Sequence, residues 1–528
     1  MGGDVQPRGS DLMGMAFDGC LAERARDAPD AVAIADAACR LTYGELEARV
    51  EEISGALAAL DLGPIDRNEA PRVVLVAENS AAHLATAFAI WRAGATLVTV
   101  YPSSTVPELE YVLAHSRPTL VIAGESVLST VRPVAGALAL PLLTLAATGD
   151  IDGLPSAHLG RGREIDQDGL ALICYTSGST ARPKAVMHSH GGLLRAARAY
   201  AAVWHLSTAD VNLVSMPLAW AFGLVTTSMA TLTAGGRVVL VARSGTRTLL
   251  AGFDDHRVTF FAGVTTMFVR MVEAMESDPN APRPSSLRLC ISGGEPRNEA
   301  AFTRWHAFTG CPVHDVYAAS ECFPVVTYDP TVDASPRPGY AGRVVPEASM
   351  RVVDPNGRDV APGEAGEAWV RGPALMLGYW DDPTLTRAVL TTDGWYVTGD
   401  LVQVEGDGYV RVLGRLSDVI IRAGANVSPA EVEAVLVRHP DVGEAGVVGL
   451  PDPVNGEEVV AAVVPQRGID SIDIGALDAH CAVALASFKR PRIVVVGDLP
   501  RNASTGKVDR RQLKSRLAAA AAIPLDRP

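Results

Sequence analysis

Short apolar runs alternate with segments whose apolar residues recur every three or four positions, and this alternation constrains the fold more than any other property of the chain. Val73 to Ala77 reads as a buried strand, Ala81 to Ala93 as a helix stopped by Gly94, and Thr96 to Val100 as the next strand. Strand, helix and strand at this spacing form a βαβ unit. The order recurs as Val211 to Met216, a helix through Thr226 to Thr233 and Arg237 to Val241, and again as Arg288 to Ser292 before a helix at Asn298 to Phe308. Upstream, Leu46, Val50, Ile53 and Leu57 share one face of a helix entered through Thr42. An α/β fold with mainly parallel strands, arranged as layered sheets and helices, follows.

After Tyr328 the texture changes. Met350 to Val353, Ala368 to Arg371, Leu401 to Glu405 and Tyr409 to Leu413 are short strands joined by turns such as Pro355-Asn-Gly, which predicts a β-rich subdomain. A last unit begins near Gly414 with a polar turn, a helix at Pro429 to Arg438, strands at Val442 to Gly449 and Glu458 to Pro465, and an Ala-rich terminal helix running toward Ala522. A chain of 528 residues exceeds one hydrophobic core. The boundary falls at Leu413 to Asp418, giving a large N-terminal domain, residues 1–413, and a small α+β C-terminal domain, residues 414–528.

Charge and cysteine content narrow the partners. The formal charge of -14 makes nucleic acid an unsuitable partner, because a phosphate backbone needs a basic footprint. Seven scattered cysteines without a Cys-x-x-Cys fit a reducing cytoplasm better than a disulfide framework. No apolar segment precedes Asp11 as a secretory signal would, and no apolar run approaches the ~20 residues of a membrane span. A soluble, cytoplasmic protein is expected.

The chemistry concentrates in five places. The apolar run Leu170 to Cys174 breaks into Tyr175-Thr-Ser-Gly-Ser-Thr-Ala-Arg-Pro-Lys184, whose backbone N–H groups, hydroxyls and one cation suit a polyphosphate. It is not the common P-loop: the chain's one Gly-Lys pair, Gly506-Lys507, has Arg501 where that motif needs its first Gly. Tyr317-Ala-Ala-Ser-Glu321 offers a ring for a base, the Ser320 hydroxyl for a phosphate oxygen, and the Glu321 carboxylate for Mg2+. Tyr396-Val-Thr-Gly-Asp400 ends one strand segment and precedes another, where an acid suits ribose hydroxyls; Gly414-Arg-Leu-Ser-Asp supplies Arg415. Leu499-Pro-Arg-Asn-Ala-Ser-Thr-Gly-Lys puts Lys507 on a flexed loop. His188 and His190 suggest a metal pair only at first sight, since no third ligand accompanies them; His190 reads as supporting the loop.

Together these segments resemble the adenylate-forming superfamily of acyl-CoA synthetases, peptide-synthetase adenylation domains and firefly luciferase. The resemblance runs from about Leu41 to Leu513. It implies a mobile C-terminal domain and two half-reactions: a carboxylate attacks the α-phosphate of MgATP, then a thiol such as coenzyme A displaces AMP. It implies that Thr176, Ser177, Gly178, Ser179, Thr180 and Lys184 hold the outer phosphates. Gly293, Gly294, Glu295 and Pro296 would form an adenine wall opposite Tyr317, with Asp315 also on the nucleotide, and Asp400 and Arg415 would hold the ribose. Lys507 would stabilise charge building between carboxylate and α-phosphate, with Ser320 and Glu321 at the reacting phosphates.

Departures from the family pattern carry information. Ala318 stands where the family has Gly, and Ser417 stands at the hinge position usually Asp or Lys. Trp220 replaces a His common in CoA-ligating members. Phe222 occupies the place where amino-acid-activating members carry Asp; a ring cannot compensate a buried ammonium, so α-amino acids are disfavoured. Trp220, Phe222, Gly263 and Cys322 mark an apolar acyl pocket suited to an aromatic, fatty or polycyclic acid. The expected product is a CoA thioester. An enzyme that stops at acyl-AMP, or hands it to a separate ligase or carrier protein, is the alternative; a non-catalytic nucleotide-binding scaffold is disfavoured by the retention of Lys507.

Overall fold

The computed structural model describes residues 17–60, 62, 70–155, 165–176, 183–242, 245–501 and 508–521. The amino-terminal stretch before Phe17, Ser177, Gly178, Ser179, Thr180, Lys507 and Ala522 lie outside the described residues.

Among the described residues, two large sheets and a small one organise the chain. In the eight-stranded sheet, Arg72–Val76 pairs in parallel with Thr96–Thr99 and Leu120–Gly124. Its edge turns antiparallel, where Leu170–Thr176 pairs with Lys184–Ser189. The thirteen-stranded sheet is parallel through Val211–Val214, Phe260–Gly263, Leu289–Gly293 and Val313–Ala319. It becomes antiparallel at Cys322–Thr327 and continues through Tyr409–Arg415, Tyr396–Val404 and Ala365–Arg371 to its edge.

Strand alternation builds the layers. Successive side chains point to opposite faces, so Phe260 enters the central core while Phe261 packs with Leu250, Phe268 and Trp305 on the outer face. In the same way Val73 and Leu75 face the central core, and Val74 and Val76 pack beneath Leu109 and Val131. The central core draws on both large sheets. Helix Ala81–Arg92 is buried at every position, as a helix apolar all round must be. Each fully buried aliphatic or aromatic side chain contributes roughly 1.5–3 kcal/mol.

The helix Tyr43–Ala58 begins at Thr42 in a capping box with Glu45 and buries Leu46, Val50, Ile53 and Leu57, as its spacing predicts. Two local expectations need correction. The helix expected over Thr226 to Thr233 starts earlier, as a π-helix Phe222–Met229 followed by Ala230–Thr233. Gly223 there lies so close to the carbonyls of Met216 and Pro217 that a Cβ would sit 2.7 and 2.3 Å away, and the Thr227 and Ser228 hydroxyls both donate to its carbonyl. Second, the expected break at Tyr396 to Asp400 is one strand, Tyr396–Val404, because ladders on both sides outweigh the local turn signal. Gly399, at φ +70, kinks it without strain. His190 is the first residue of helix His190–Val203, edge-on to Trp91, and the loop it was read as supporting lies outside the described residues.

Residue 413 lies inside strand Tyr409–Arg415, which stays in the large sheet; the 3-10 turn Leu416–Asp418 follows. Beyond it stands the small sheet, with Val459, Ala461 and Val463 facing one core and Val460 and Ala462 another that includes Leu513 and Leu517. Ser428, which caps helix Pro429–Leu436, donates to the Leu413 carbonyl across the turn. Among the described residues, no helix is long and apolar enough to cross a membrane.

Candidate active site

In α/β sheets, ligands bind beyond the carboxyl ends of parallel strands. Gly263, Gly293 and the segment Val316 to Ala319 all lie at that end of the thirteen-stranded sheet. The loop end of the hairpin in the eight-stranded sheet, where Thr176 pairs with Lys184, contributes from the other side. The two sheets meet at the turn Ser320-Glu321, which brings residues that the sequence spreads over more than two hundred positions near one another.

The wall at Gly293 is bare by necessity. A Cβ there would come 2.6 Å from Val316 Cγ1 and 3.5 Å from Phe222 Cζ. Gly294, at φ +79, turns the chain away and is exposed, as is Pro296. Glu295 directs its carboxylate elsewhere: Oε2 accepts from the backbone and hydroxyl of Thr266, at 2.8 and 2.9 Å, at the start of helix Thr265–Ser277.

Tyr317 follows on the adjacent strand, and its hydroxyl donates to Asp400 Oδ2 at 2.7 Å. Arg415 Nε lies 2.7 Å from Asp400 Oδ1 because the two residues face each other across the ladder. Thr398 completes the arrangement: its hydroxyl accepts from the Asp400 N–H, and its carbonyl accepts from Arg415. Burial raises the Asp400 carboxyl, while Arg415 and Tyr317 pull it down. Burial and the neighbouring Asp400 push the Tyr317 phenol well up, so it remains a donor. Arg415 keeps 55% of its side chain exposed, leaving donors for hydroxyls.

Asp315 is placed differently. Its Oδ2 accepts from Arg297 at 2.6 Å, and Arg297 also donates to the Val313 carbonyl and pairs with Glu299. Burial pushes the Asp315 carboxyl up to about 7, with Arg297 opposing.

Glu321 is buried, and its Oε1 accepts from Tyr379 at 2.7 Å. The Lys184 ammonium stands 5.4 Å from the centre of the same Tyr379 ring. His188 Nε2 lies 2.7 Å from the Ser320 carbonyl. Sequence reasoning missed Tyr379, Thr398 and Arg297, and set His188 aside. Tyr379 and Thr398 sit in Gly-Tyr and Thr-Gly pairs that read as turn punctuation, and only the pairing of distant strands gives them partners.

On the apolar side, Trp220 is half-buried and meets Phe222 edge-on at 5.4 Å. A Cβ on Gly263 would come within 3.3 Å of Phe261 and Met267, so that strand end is also tightly lined. Cys322 is wholly buried, with its sulfur against Gly372. Ser417 is exposed, and its hydroxyl donates to Asp418.

A bare glycine wall, a phenol-braced acid–arginine pair, a carboxylate and a lysine in one crevice suit a nucleotide and a divalent cation. Residues 21–380 match the AMP-binding enzyme family and residues 431–507 the AMP-binding enzyme C-terminal domain. The chain belongs to the AMP-binding enzyme family, in its acyl-CoA synthetase branch. It is 34% identical over 495 residues to a feruloyl-CoA synthase of an Amycolatopsis species, covering 93% of this chain and 97% of that protein. It is 34% identical over 495 residues to an indoleacetate–CoA ligase of Aromatoleum aromaticum, covering 90% and 94%. The solved structure of the anthranilate CoA ligase AuaEII in complex with anthranoyl-AMP aligns with a TM-score of 0.88 at 26% identity, covering 98% of this chain and 100% of that one. The chain is an acid–thiol ligase, which activates a carboxylic acid with ATP as the acyl-adenylate and joins it to coenzyme A.

Proposed function

We propose that the substrate is an aromatic carboxylic acid and that the crevice residues divide the work of activating it. The bare wall from Gly293 to Pro296 and the ring of Tyr317 take the adenine. Asp400 and Arg415 take the ribose hydroxyls. Thr176, Ser177, Gly178, Ser179, Thr180 and Lys184 hold the outer phosphates. Glu321 offers Mg2+ a carboxylate, the remaining ligands being phosphate oxygens and water, which is the usual arrangement for this ion. Lys507 comes from the C-terminal domain to neutralise the charge that builds as carboxylate meets α-phosphate. We place the hinge at Ser417, within the turn Leu416–Asp418 that separates the sheets.

The observation that carries the nucleotide reading is the convergence of Tyr317, Asp400 and Arg415 from three strands through contacts of 2.7 Å. The aromatic acid is supported by the edge-on pair of Trp220 and Phe222, and by relatives named for feruloyl, indoleacetate and anthranilate groups. Burying an unpaired ammonium against Phe222 costs on the order of 2–5 kcal/mol, which excludes α-amino acids.

Pyrophosphate release should therefore be fastest with a benzoate-like or indole acid, ahead of medium-chain and polycyclic acids and all twenty amino acids. Efficient exchange with a free α-amino acid overturns the assignment. Repeating the panel with coenzyme A and weighing the product tests the second half-reaction; adenylate without thioester would mean that Ser417 no longer supports the thiol-transferring arrangement. Lys507→Ala should slow adenylation about 100–1,000-fold while ATP still binds.

A further inference from the structure

We propose that His188 and Tyr379 are positioning residues, which set the Ser320-Glu321 turn from the same strand face that carries Lys184. The inference rests on Glu321 as the Mg2+ ligand.

Lys184, Val186 and His188 occupy alternate positions of strand Lys184–Ser189, so they share a face. Tyr379 pairs directly with Val186 and therefore joins that face. The four residues form one platform, and the turn Ser320-Glu321 lies against it. The turn is pinned at three points: the Ser320 carbonyl by His188, the Glu321 carbonyl by the Met376 N–H at 2.8 Å, and the Glu321 carboxylate by Tyr379.

The histidine is a poor choice for packing alone. Its side chain is fully buried, edge-on to Phe323, and among the described residues only Nε2 finds a partner. A carbonyl accepts, so Nε2 carries the proton and Nδ1 is a bare acceptor. Nδ1 has no hydrogen-bond partner among the described residues, an arrangement that costs stability. A leucine would fill the same volume without that cost. What leucine cannot do is hold the Ser320 carbonyl. Tyr379 adds the link across the platform: one end holds the Glu321 carboxylate while the ring underlies the Lys184 ammonium. A phosphate drawn to Lys184 is thereby registered against the carboxylate that takes the metal.

The test is pyrophosphate release at saturating ATP and acid, titrated with Mg2+, together with Mn2+ binding to the enzyme–ATP complex followed by electron paramagnetic resonance, in wild type, His188→Leu, His188→Gln, Tyr379→Phe and Glu321→Gln. Losing one hydrogen bond should raise the half-saturating Mg2+ concentration about 3–10-fold and lower kcat in His188→Leu and Tyr379→Phe, with the KM for the acid within about twofold. His188→Gln, whose amide N–H can reach the Ser320 carbonyl, should recover most of the loss. Wild-type Mg2+ midpoints in His188→Leu and Tyr379→Phe, beside a shifted midpoint in Glu321→Gln, would overturn the positioning role alone. An unshifted Glu321→Gln would overturn the metal assignment and this inference with it. If His188→Leu does not fold, Tyr379→Phe decides the question.

Discussion

Two aspartate–arginine pairs on the thirteen-stranded sheet look alike in distance and differ in almost everything else. Asp315 and Arg297 meet at 2.6 Å with only 12% and 13% of their side chains exposed. Asp400 and Arg415 meet at 2.7 Å, with the acid at 8% and the arginine at 55%. In the first pair the guanidinium is spent on Asp315, Glu299 and the Val313 carbonyl, and it stacks on Phe302 at 4.7 Å. In the second it faces the crevice. Both acids resist ionisation because both are buried, yet only the second pair combines a held carboxylate with a cation that solvent or a ligand can reach. An ion pair thus reads as a binding device by the exposure of one partner and not by its length.

The largest effect separates the pairs by stability. Arg297→Ala at pH 8 leaves Asp315 buried without its counter-charge, and should cost about 3–5 kcal/mol in urea unfolding; Arg415→Ala should cost less, because Asp400 keeps the Tyr317 hydroxyl as a donor and the space Arg415 leaves is open to water. The pH dependence follows from the raised Asp315 carboxyl. A group held above its unfolded value contributes fully at a pH below that value, and its contribution is lost as pH rises through about 7. Removing Arg297 raises the carboxyl further, so the deficit should be small at pH 5 and grow toward pH 8. A deficit independent of pH would mean that Arg297 matters only for its packing on Phe302.

Activity should rank the pairs the other way. Asp400→Ala removes the proposed acceptor for the two ribose hydroxyls and should lower kcat/KM for ATP about 10–100-fold, from charged hydrogen bonds of roughly 1.5–3 kcal/mol, with a smaller loss of stability than Arg297→Ala. Loss of stability without loss of ATP efficiency would make the two pairs equivalent and remove Asp400 from the ribose.

The smallest effect is a displaced titration. Arg415 pulls the Asp400 carboxyl down against burial. In Arg415→Met the acid limb of kcat/KM for ATP should therefore move to higher pH, and an unmoved limb would show that burial and Tyr317 alone govern Asp400.

Much of the architecture could be read from periodicity. The apolar spacing in helix Tyr43–Ala58 and the alternating strands of the small sheet give one buried face each, because side-chain direction follows directly from helical or extended backbone. Tyr317, Asp400 and Arg415 could also be named as candidates from their Tyr-x-x-Ser-Glu, Thr-Gly-Asp and Gly-Arg segments, and the structure brings these three together. Their surroundings could not be read this way. Strand Tyr396–Val404 runs through a Gly that locally signals a turn, because ladder hydrogen bonds on both sides outweigh one residue's preference. The π-helix Phe222–Met229 depends on Gly223 packing beneath two carbonyls, a contact with no periodic trace. Tyr379 and His188 acquire meaning only through Glu321 and Ser320, 58 and 132 residues away.

By itself, then, the sequence determined the layered α/β class and the order of most of its elements, and it named the candidate polar residues, since these depend on local direction and residue type. Tertiary structure decided which acid keeps a partner open to a ligand, which histidine reaches the crevice and where the large sheet ends, at Arg415. Those outcomes depend on burial and on partners from distant strands, which exist only once the two sheets have packed together.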